Sequence, residues 1–229
     1  MKCLPFSKGS SVSVMFVGLL LFGVLMAGPA YAAASQEDAQ AEVFPVEKSL
    51  PLPDELSSML HTLKNAHGFS ARFRQTLSFS DGSKQLYRGE LDVLPPGRFR
   101  WRYIEPFEQL FVSDGFTIWH YEPDLMQVSV LREMADVDPV VMQLLGGRID
   151  VGDVHLLKAY PGEHRYHVRL ATETRLWLGV RDGRLDYVEG HDVLGNINRI
   201  RLESVSLKTP DVGRFDFVAP QGVDVVPLQ

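Results

Sequence analysis

The chain has 229 residues, of which 45% are hydrophobic and 23% are charged. This length and composition suit one domain with a full hydrophobic core. The formal net charge of −6 argues against a nucleic acid as partner, because phosphate binding needs a basic surface.

Residues 1–32 have the three parts of a secretory signal peptide: a basic start, an apolar run at 12–27 and a small-residue end. The run is shorter than the ~20 residues that span a membrane, so we expect cleavage after Ala32 or Ala34 rather than an uncleaved anchor. Cleavage removes two lysines and no acids, which takes the net charge from −6 to −8. It also removes the single cysteine, Cys3, which precedes the run, whereas a lipidated cysteine would follow it. We predict an exported protein that has no disulfide and is not itself a lipoprotein.

Residues 33–52 are predicted to be a flexible leader, and residues 53–229 a single domain. A helix is predicted to begin at Pro53 and Asp54, which suit a first turn, and to end before Gly68. Its apolar residues recur at helical spacing and form one stripe, which consists of Leu56, Met59, Leu60 and Leu63. Simple core packing is sufficient to explain this stripe.

The hydrophobic pattern changes to a period of two from Phe69 onward. Alternating segments, separated by turn signals such as Asp81-Gly82, continue to the end of the chain. The pattern predicts about ten strands with two or three helices. The fold class is therefore mainly β (α+β), with an open antiparallel β-barrel or strongly curved sheet whose helices close its mouth or concave face.

Residues 98–103 read RFRWRY, so arginines alternate with aromatic residues along one strand. This alternation predicts one aromatic face and one cationic, solvated face. A later strand places Trp119 and Tyr121 together on one face. We expect all these aromatic side chains to line one side of the curved sheet, with ordinary core packing as the alternative. A protein of this kind would hold an apolar ligand.

A second, short helix is predicted over residues 138–146, between Pro139 and Gly146-Gly147. It is apolar on almost all sides, so it must be covered, or must itself cover something. This property suits a lid.

The sequence has no arrangement that is typical of catalysis or metal binding. It contains no Gly-x-Ser-x-Gly turn, no glycine-rich phosphate loop and no His-Glu-x-x-His helix. His164 and His167 are expected to point to opposite faces of a strand without a third ligand nearby. Glu122 and Asp124 flank a proline and are interpreted as turn residues. We expect no enzymatic activity, no metal and no cofactor.

Several segments together resemble the LolA family of periplasmic outer-membrane lipoprotein carrier proteins. The resemblance runs from about Leu56 to Val226. The segments are FSARFRQTL, GELDV, RFRW, FVSDGFTIWHYEPDLMQ and FDFVAPQGVDVV. The pattern W-x-Y-x-P-x-x-x-Q, from Trp119 to Gln127, is moderately specific, and its combination with the other segments and the signal peptide is strong.

This resemblance implies an open antiparallel β-barrel with an α-helical lid over an apolar cavity. It implies a monomeric periplasmic chaperone without a cofactor or enzymatic activity. Such a protein accepts the acyl chains of a lipoprotein from an inner-membrane ABC transporter and passes them to an outer-membrane receptor. A periplasmic lipid or glycolipid shuttle, or an envelope sensor on the same fold, is the alternative. An esterase is disfavoured because no nucleophile motif is present.

The resemblance also implies which side chains contact the acyl chains. The cavity residues are Phe73, Leu91, Val93, Phe99, Trp101, Tyr103, Leu110, Val112, Trp119, Tyr121 and Val128. The lid residues are Leu56, Met59, Leu60, Leu63, Met142, Leu144 and Leu145.

The chain departs from the family at Pro95. Many members carry an arginine here that hydrogen-bonds the lid shut, and a proline side chain cannot donate such a bond. Either another residue, such as Arg98 or Arg148, holds the lid, or closure is weaker in this protein.

Overall fold

The computed structural model describes three stretches of the chain, which are residues 50–131, 151–171 and 173–227. The predicted signal peptide, nearly all of the predicted leader and the predicted helix over 138–146 lie outside the described residues. All described residues belong to one unit of the chain, Phe44–Gln229. Within them, no helix has the length and apolar character needed to cross a membrane.

One α-helix and twelve strands form the regular structure of the described residues. Helix α1 spans Asp54–Asn65. The strands are β1 (Phe69–Ser78), β2 (Lys84–Leu94), β3 (Arg98–Glu105), β4 (Gln109–Asp114), β5 (Ile118–Glu122), β6 (Gln127–Leu131), β7 (Val154–Tyr160), β8 (Arg165–Leu170), β9 (Arg175–Arg181), β10 (Arg184–His191), β11 (Ile197–Ser206) and β12 (Asp224–Pro227). Short 3-10 helices lie at Pro123–Leu125, Val151–Asp153, Pro161–Glu163 and Val212–Phe215.

All twelve strands form a single sheet in the order β12-β6-β5-β4-β3-β2-β1-β11-β10-β9-β8-β7. Neighbouring strands are antiparallel except β12, which pairs in parallel with β6. The two end strands do not pair with each other, so the sheet is open. The predicted fold class, a mainly β protein with an open antiparallel sheet, is confirmed. The two strands absent from the sequence prediction, β7 and β12, are the two edges.

Helix α1 packs on one face of this sheet. Asp54 and Glu55 occupy its first turn, where acidic side chains interact favourably with the positive helix end. The predicted stripe faces the core, with Leu56, Met59 and Leu60 buried and Leu63 partly buried against them. Each fully buried side chain of this size contributes about 1.5–3 kcal/mol of transfer free energy, so the stripe fixes how the helix lies.

The sheet curves around this helix. The cluster that contains the stripe also contains Phe73 of β1, Trp101 of β3, Leu178 of β9 and Val188 of β10, which come from distant parts of the strand order. We call the face that carries these residues the concave face and the opposite one the outer face. Residues paired directly across antiparallel strands share a face, so the strand register assigns the others.

The C-terminal segment, residues 208–227, covers the outer face of strands β2 to β6. Arg214 forms an ion pair with the buried carboxylate of Asp92 at 2.6 Å, and Phe215 is 1% exposed. Strand β12 then continues along β6. This part of the sheet is therefore buried on both faces.

Candidate functional site

The concave face of strands β1 to β5 carries a continuous group of rings. In the register, Trp101 lies opposite Phe111, and Phe111 lies opposite His120. We call this group the aromatic wall, and its members are Phe73, Tyr87, Trp101, Tyr103, Phe111 and His120.

The rings of the wall are in mutual contact. Phe73 lies at its centre, with its centroid 5.0 Å from that of Trp101 and 5.2 Å from that of Tyr103, to which it is edge-on. The imidazole of His120 stacks on Phe111 at 4.0 Å with an interplanar angle of 4°. Such aromatic pairs add about 0.5–1.5 kcal/mol beyond burial, so the wall is a firm and mostly apolar surface.

Gly89 of β2 makes room for this wall. A Cβ atom at this position would lie 2.6 Å from the ring of Phe73 and 1.9 Å from the backbone oxygen of Arg102. The absence of a side chain therefore allows Phe73 to lie across β2 and to reach Tyr103 of β3.

One end of the wall is polar, and its hydrogen-bonding groups are paired with other groups of the protein. The hydroxyl of Tyr103 donates to Oε1 of Gln75 at 2.9 Å, and Nε2 of Gln75 donates to Oδ1 of Asn198 at 3.0 Å. Gln75 is 8% exposed, so this chain of hydrogen bonds lies at the edge of the buried region.

His120 is a neutral side chain at pH 7. Its burial lowers the pKa to about 4. Its Nδ1 atom lies 3.8 Å from Oε2 of Glu122, but a neutral ring makes no ion pair at that distance. Burial raises the pKa of Glu122 from its usual value. The wall therefore presents no fixed positive charge at His120.

Six of the predicted cavity residues lie together on the concave face. Phe73, Leu91, Val93, Phe99 and Trp101 are buried, and Tyr103 packs partly buried against them. The same cluster contains the predicted lid residues of α1. Both predicted groups thus belong to one buried core, and their role in ligand binding stays a prediction.

The other five predicted cavity residues lie on the outer face, away from Trp101. Leu110 pairs with Arg102 and Val112 with Arg100, and both arginines are on the outer side of β3. The remaining three follow from the same register and are Trp119, Tyr121 and Val128. The expectation that both aromatic groups line one side of the sheet is wrong, because β4 is apolar on both faces and its alternation does not show which face is which.

The outer aromatic pair packs against the C-terminal segment. The ring of Phe217 lies 5.9 Å from that of Trp119 and 6.2 Å from that of Tyr121. Val112 and Val128 beneath are fully buried. These residues form a second core rather than a part of the concave surface.

A separate cavity of about 490 Å³ lies at the turn between β9 and β10 and beside β11. Leu185 and Leu202, which also belong to the core, line it together with charged residues such as Arg181 and Arg184. Its charged lining distinguishes it from the aromatic wall, and no predicted cavity residue lines it.

Comparison with known proteins defines the family. Residues 64–218 match the family model described as "Outer membrane lipoprotein carrier protein LolA". The chain belongs to the LolA family. An outer-membrane lipoprotein carrier protein of Bordetella bronchiseptica is 30% identical over 92% of this chain and 95% of its own length. Another, from Nitrosospira multiformis, is 32% identical over 75% of this chain and 87% of its own length. The resemblance stated from the sequence is confirmed.

Solved structures of similar proteins are more distant. A LolA superfamily protein from Nitrosomonas europaea has a TM-score of 0.40 and 15% sequence identity, over 70% of this chain and 96% of that chain.

This LolA family member ties α1 to the sheet through Glu55. The hydroxyl of Tyr166 in β8 donates to Oε2 of Glu55 at 2.5 Å, and Nδ1 of His164 lies 3.0 Å from both carboxylate oxygens. These hydrogen bonds lower the pKa of Glu55. Burial, together with the bond to Glu55, raises the pKa of Tyr166 to about 12.

Neither residue that the sequence offered as a latch is seen to hold α1. Arg98 pairs with Asp114 in the register and lies on the outer face, whereas α1 lies on the concave face. Arg148 and the predicted lid residues Met142, Leu144 and Leu145 lie outside the described residues.

Sequence reasoning missed four residues of the concave surface. Phe111 and His120 were assigned to neither face, and Tyr87 and Gln75 were not named among the candidate residues. The available signal was the pairing of β3 with β4, since a tight turn after Glu105 places Phe111 opposite Trp101.

Proposed function

We propose that this protein is a periplasmic carrier that shelters the acyl chains of lipoproteins against the aromatic wall. The observation that carries the proposal is a concave apolar surface with one helix packed on the same face, in a chain of the LolA family. No enzymatic step or cofactor takes part in this role.

The energetics of acyl chains support a carrier of this form. Each buried methylene is worth about 0.8 kcal/mol, so one long acyl chain carries on the order of 10 kcal/mol of hydrophobic free energy. A free lipoprotein would therefore leave a membrane very slowly. Flat rings can accommodate varied positions of a chain while keeping it away from water.

Helix α1 supplies a means of release without fuel. In the empty protein its stripe packs against the core, with Leu56 and Met59 at 0% and 1% exposure. We infer that a ligand on the concave face displaces these side chains. Closing the helix recovers their buried area, so the empty closed state favours delivery of the ligand.

The partners of the carrier follow from its direction of transport. We infer that an inner-membrane ABC transporter loads it and that an outer-membrane lipoprotein receptor unloads it. The protein works as a monomer that binds one lipoprotein. The names of its relatives and the predicted signal peptide support this route.

Release of lipoproteins from membranes tests the proposal. Purified protein without residues 1–32 is incubated with spheroplasts that carry labelled lipoproteins, and the supernatant is separated by size. We expect a soluble one-to-one complex. Release of phospholipid or glycolipid without any lipoprotein would instead support the lipid-shuttle alternative.

Two tyrosines provide matched variants for this assay. Tyr103 and Tyr121 are both partly buried, but they lie on the concave and the outer face respectively. Tyr103→Glu places a charge beside the proposed acyl path and should abolish release of lipoproteins, whereas Tyr121→Glu should retain it. Circular dichroism checks that both variants are folded. Release by Tyr103→Glu at the wild-type level would contradict the assignment of the concave face.

A further inference from the structure

Two buried nitrogen atoms of the aromatic wall have no hydrogen-bond partner within the part of the chain that the structure describes. They are Nε1 of Trp101 and Nε2 of His120. Both side chains belong to one row across the sheet, with Phe111 between them. A buried polar group without a partner costs about 1–3 kcal/mol, and most such groups in proteins are paired. Two of them in one row of the concave face therefore call for an explanation.

Other buried polar side chains on this face are satisfied by the protein itself. The amide of Gln75 bonds to Tyr103 and Asn198, as described above. The hydroxyl of Ser113 accepts from the backbone nitrogen of Gly115, and that of Ser129 accepts from Nε2 of Gln127. The contrast singles out the row of Trp101 and His120.

The chemistry of these two nitrogens selects the kind of ligand group. An indole N–H can only donate. A neutral imidazole carries one N–H, and the tautomer with the proton on Nε2 makes that atom a donor as well. The stacking on Phe111 fixes the plane in which the imidazole donates. Two neutral donors in an apolar surface suit a neutral acceptor, because an anion there would lack a balancing charge.

We propose that Trp101 Nε1 and His120 Nε2 form a subsite that donates hydrogen bonds to the ester carbonyls of an acylated ligand. This inference rests on the proposed function and adds a specificity to it. The ester is the neutral acceptor that every acyl chain attached to glycerol brings with it. The subsite positions the glyceryl end of the ligand, and the neighbouring rings of the wall hold the first methylenes of the chains.

A pair of lipopeptides that differ only at the ester tests the subsite. One probe carries a cysteine whose glyceryl group bears two palmitoyl esters, and the other carries two hexadecyl ethers, which lack the carbonyl oxygens. Wild-type protein should bind the ester probe about three- to tenfold more tightly for each hydrogen bond formed. Fluorescence titration or calorimetry measures both affinities.

Two variants remove the donors while keeping an aromatic ring. His120→Phe and Trp101→Phe should each lower the affinity for the ester probe more than the affinity for the ether probe, so that the ratio of the two affinities falls toward one. If Trp101→Phe fails to fold by circular dichroism, His120→Phe alone decides the result.

The outcomes separate the subsite from the carrier role. Equal affinity of the wild type for both probes would overturn the subsite and leave the carrier function standing. An equal loss of both affinities in His120→Phe would also overturn it, because the ring would then act by packing alone. Failure of the wild type to bind either probe would remove the proposed function itself, and the subsite with it.

Discussion

At the scale of single residues, His120 makes the protein sensitive to mild acid. Its folded-state pKa of about 4 lies below the ordinary value of about 6.5. Between these values the unfolded chain binds more protons at this position than the folded one does. The contribution of His120 is therefore fully present above pH 6.5 and is lost as the pH falls toward 4.

We predict that His120→Phe removes this part of the pH dependence. The wild type should lose about 3 kcal/mol of its free energy of unfolding through this group between pH 6.5 and pH 4. The variant should lose less over the same interval. Urea denaturation at several pH values measures the difference. Parallel curves for the two proteins would show that His120 is not buried as the structure has it.

The residues of β4 show what the sequence can and cannot reveal at this scale. The strand reads Leu110, Phe111, Val112, and all three are buried. When one face of a strand is exposed to solvent, polar and hydrophobic residues alternate and show which side chains face the core. A strand that is buried on both faces has no such alternation. The alternation of β3, with arginines on one side, did predict its concave face correctly. The face of β4 could be known only from its pairing with β3.

At the scale of elements, Glu55 joins helix α1 to strand β8. The lowered pKa of this carboxyl means that its stabilising contribution is present above the ordinary pKa of glutamate and is lost as the pH falls through the folded-state value. The sequence placed α1 correctly because its stripe and its end signals are local. It could not reveal this latch, since Glu55 and Tyr166 are 111 positions apart.

We predict that Glu55→Gln loosens α1. A hydrogen bond to a charged group contributes about 1.5 kcal/mol or more, so amide exchange in α1 should become faster by about tenfold. Hydrogen exchange followed by NMR measures the change. Glu173→Gln is the matched control, because Glu173 pairs with Arg169 and not with α1. Equal exchange of α1 in the wild type and Glu55→Gln would show that Glu55 does not act as a latch.

The C-terminal segment offers a second test between elements. Phe215 is buried against the outer face, so Phe215→Ala should lower the free energy of unfolding by about 3–5 kcal/mol. Under conditions in which the variant is folded, its concave face should still bind the lipopeptide that carries two palmitoyl esters. Urea denaturation and titration at low temperature measure the two effects. Loss of binding in a folded variant would indicate that the outer face contributes to the site.

At the scale of the whole molecule, an open sheet suits a carrier that must change shape. Among the described residues, the end strands β7 and β12 do not pair with each other, so the strands can shift without breaking a closed barrel. The fold class followed from the sequence because period-two segments and turns are local signals. The two edge strands were not predicted from the sequence, since β12 is short and β7 lacks a clear alternation of hydrophobic and polar residues.

The proposed function requires that acyl chains lie on the concave face. A photoreactive phenylalanine analogue placed at position 103 or 121 tests it, with a lipoprotein whose acyl chains carry a chemical tag. After loading and illumination, the tagged acyl chains should be crosslinked to the variant in which the photoreactive analogue replaces Tyr103. The probe that replaces Tyr121 should give no attachment. Attachment from position 121 without attachment from position 103 would contradict the account.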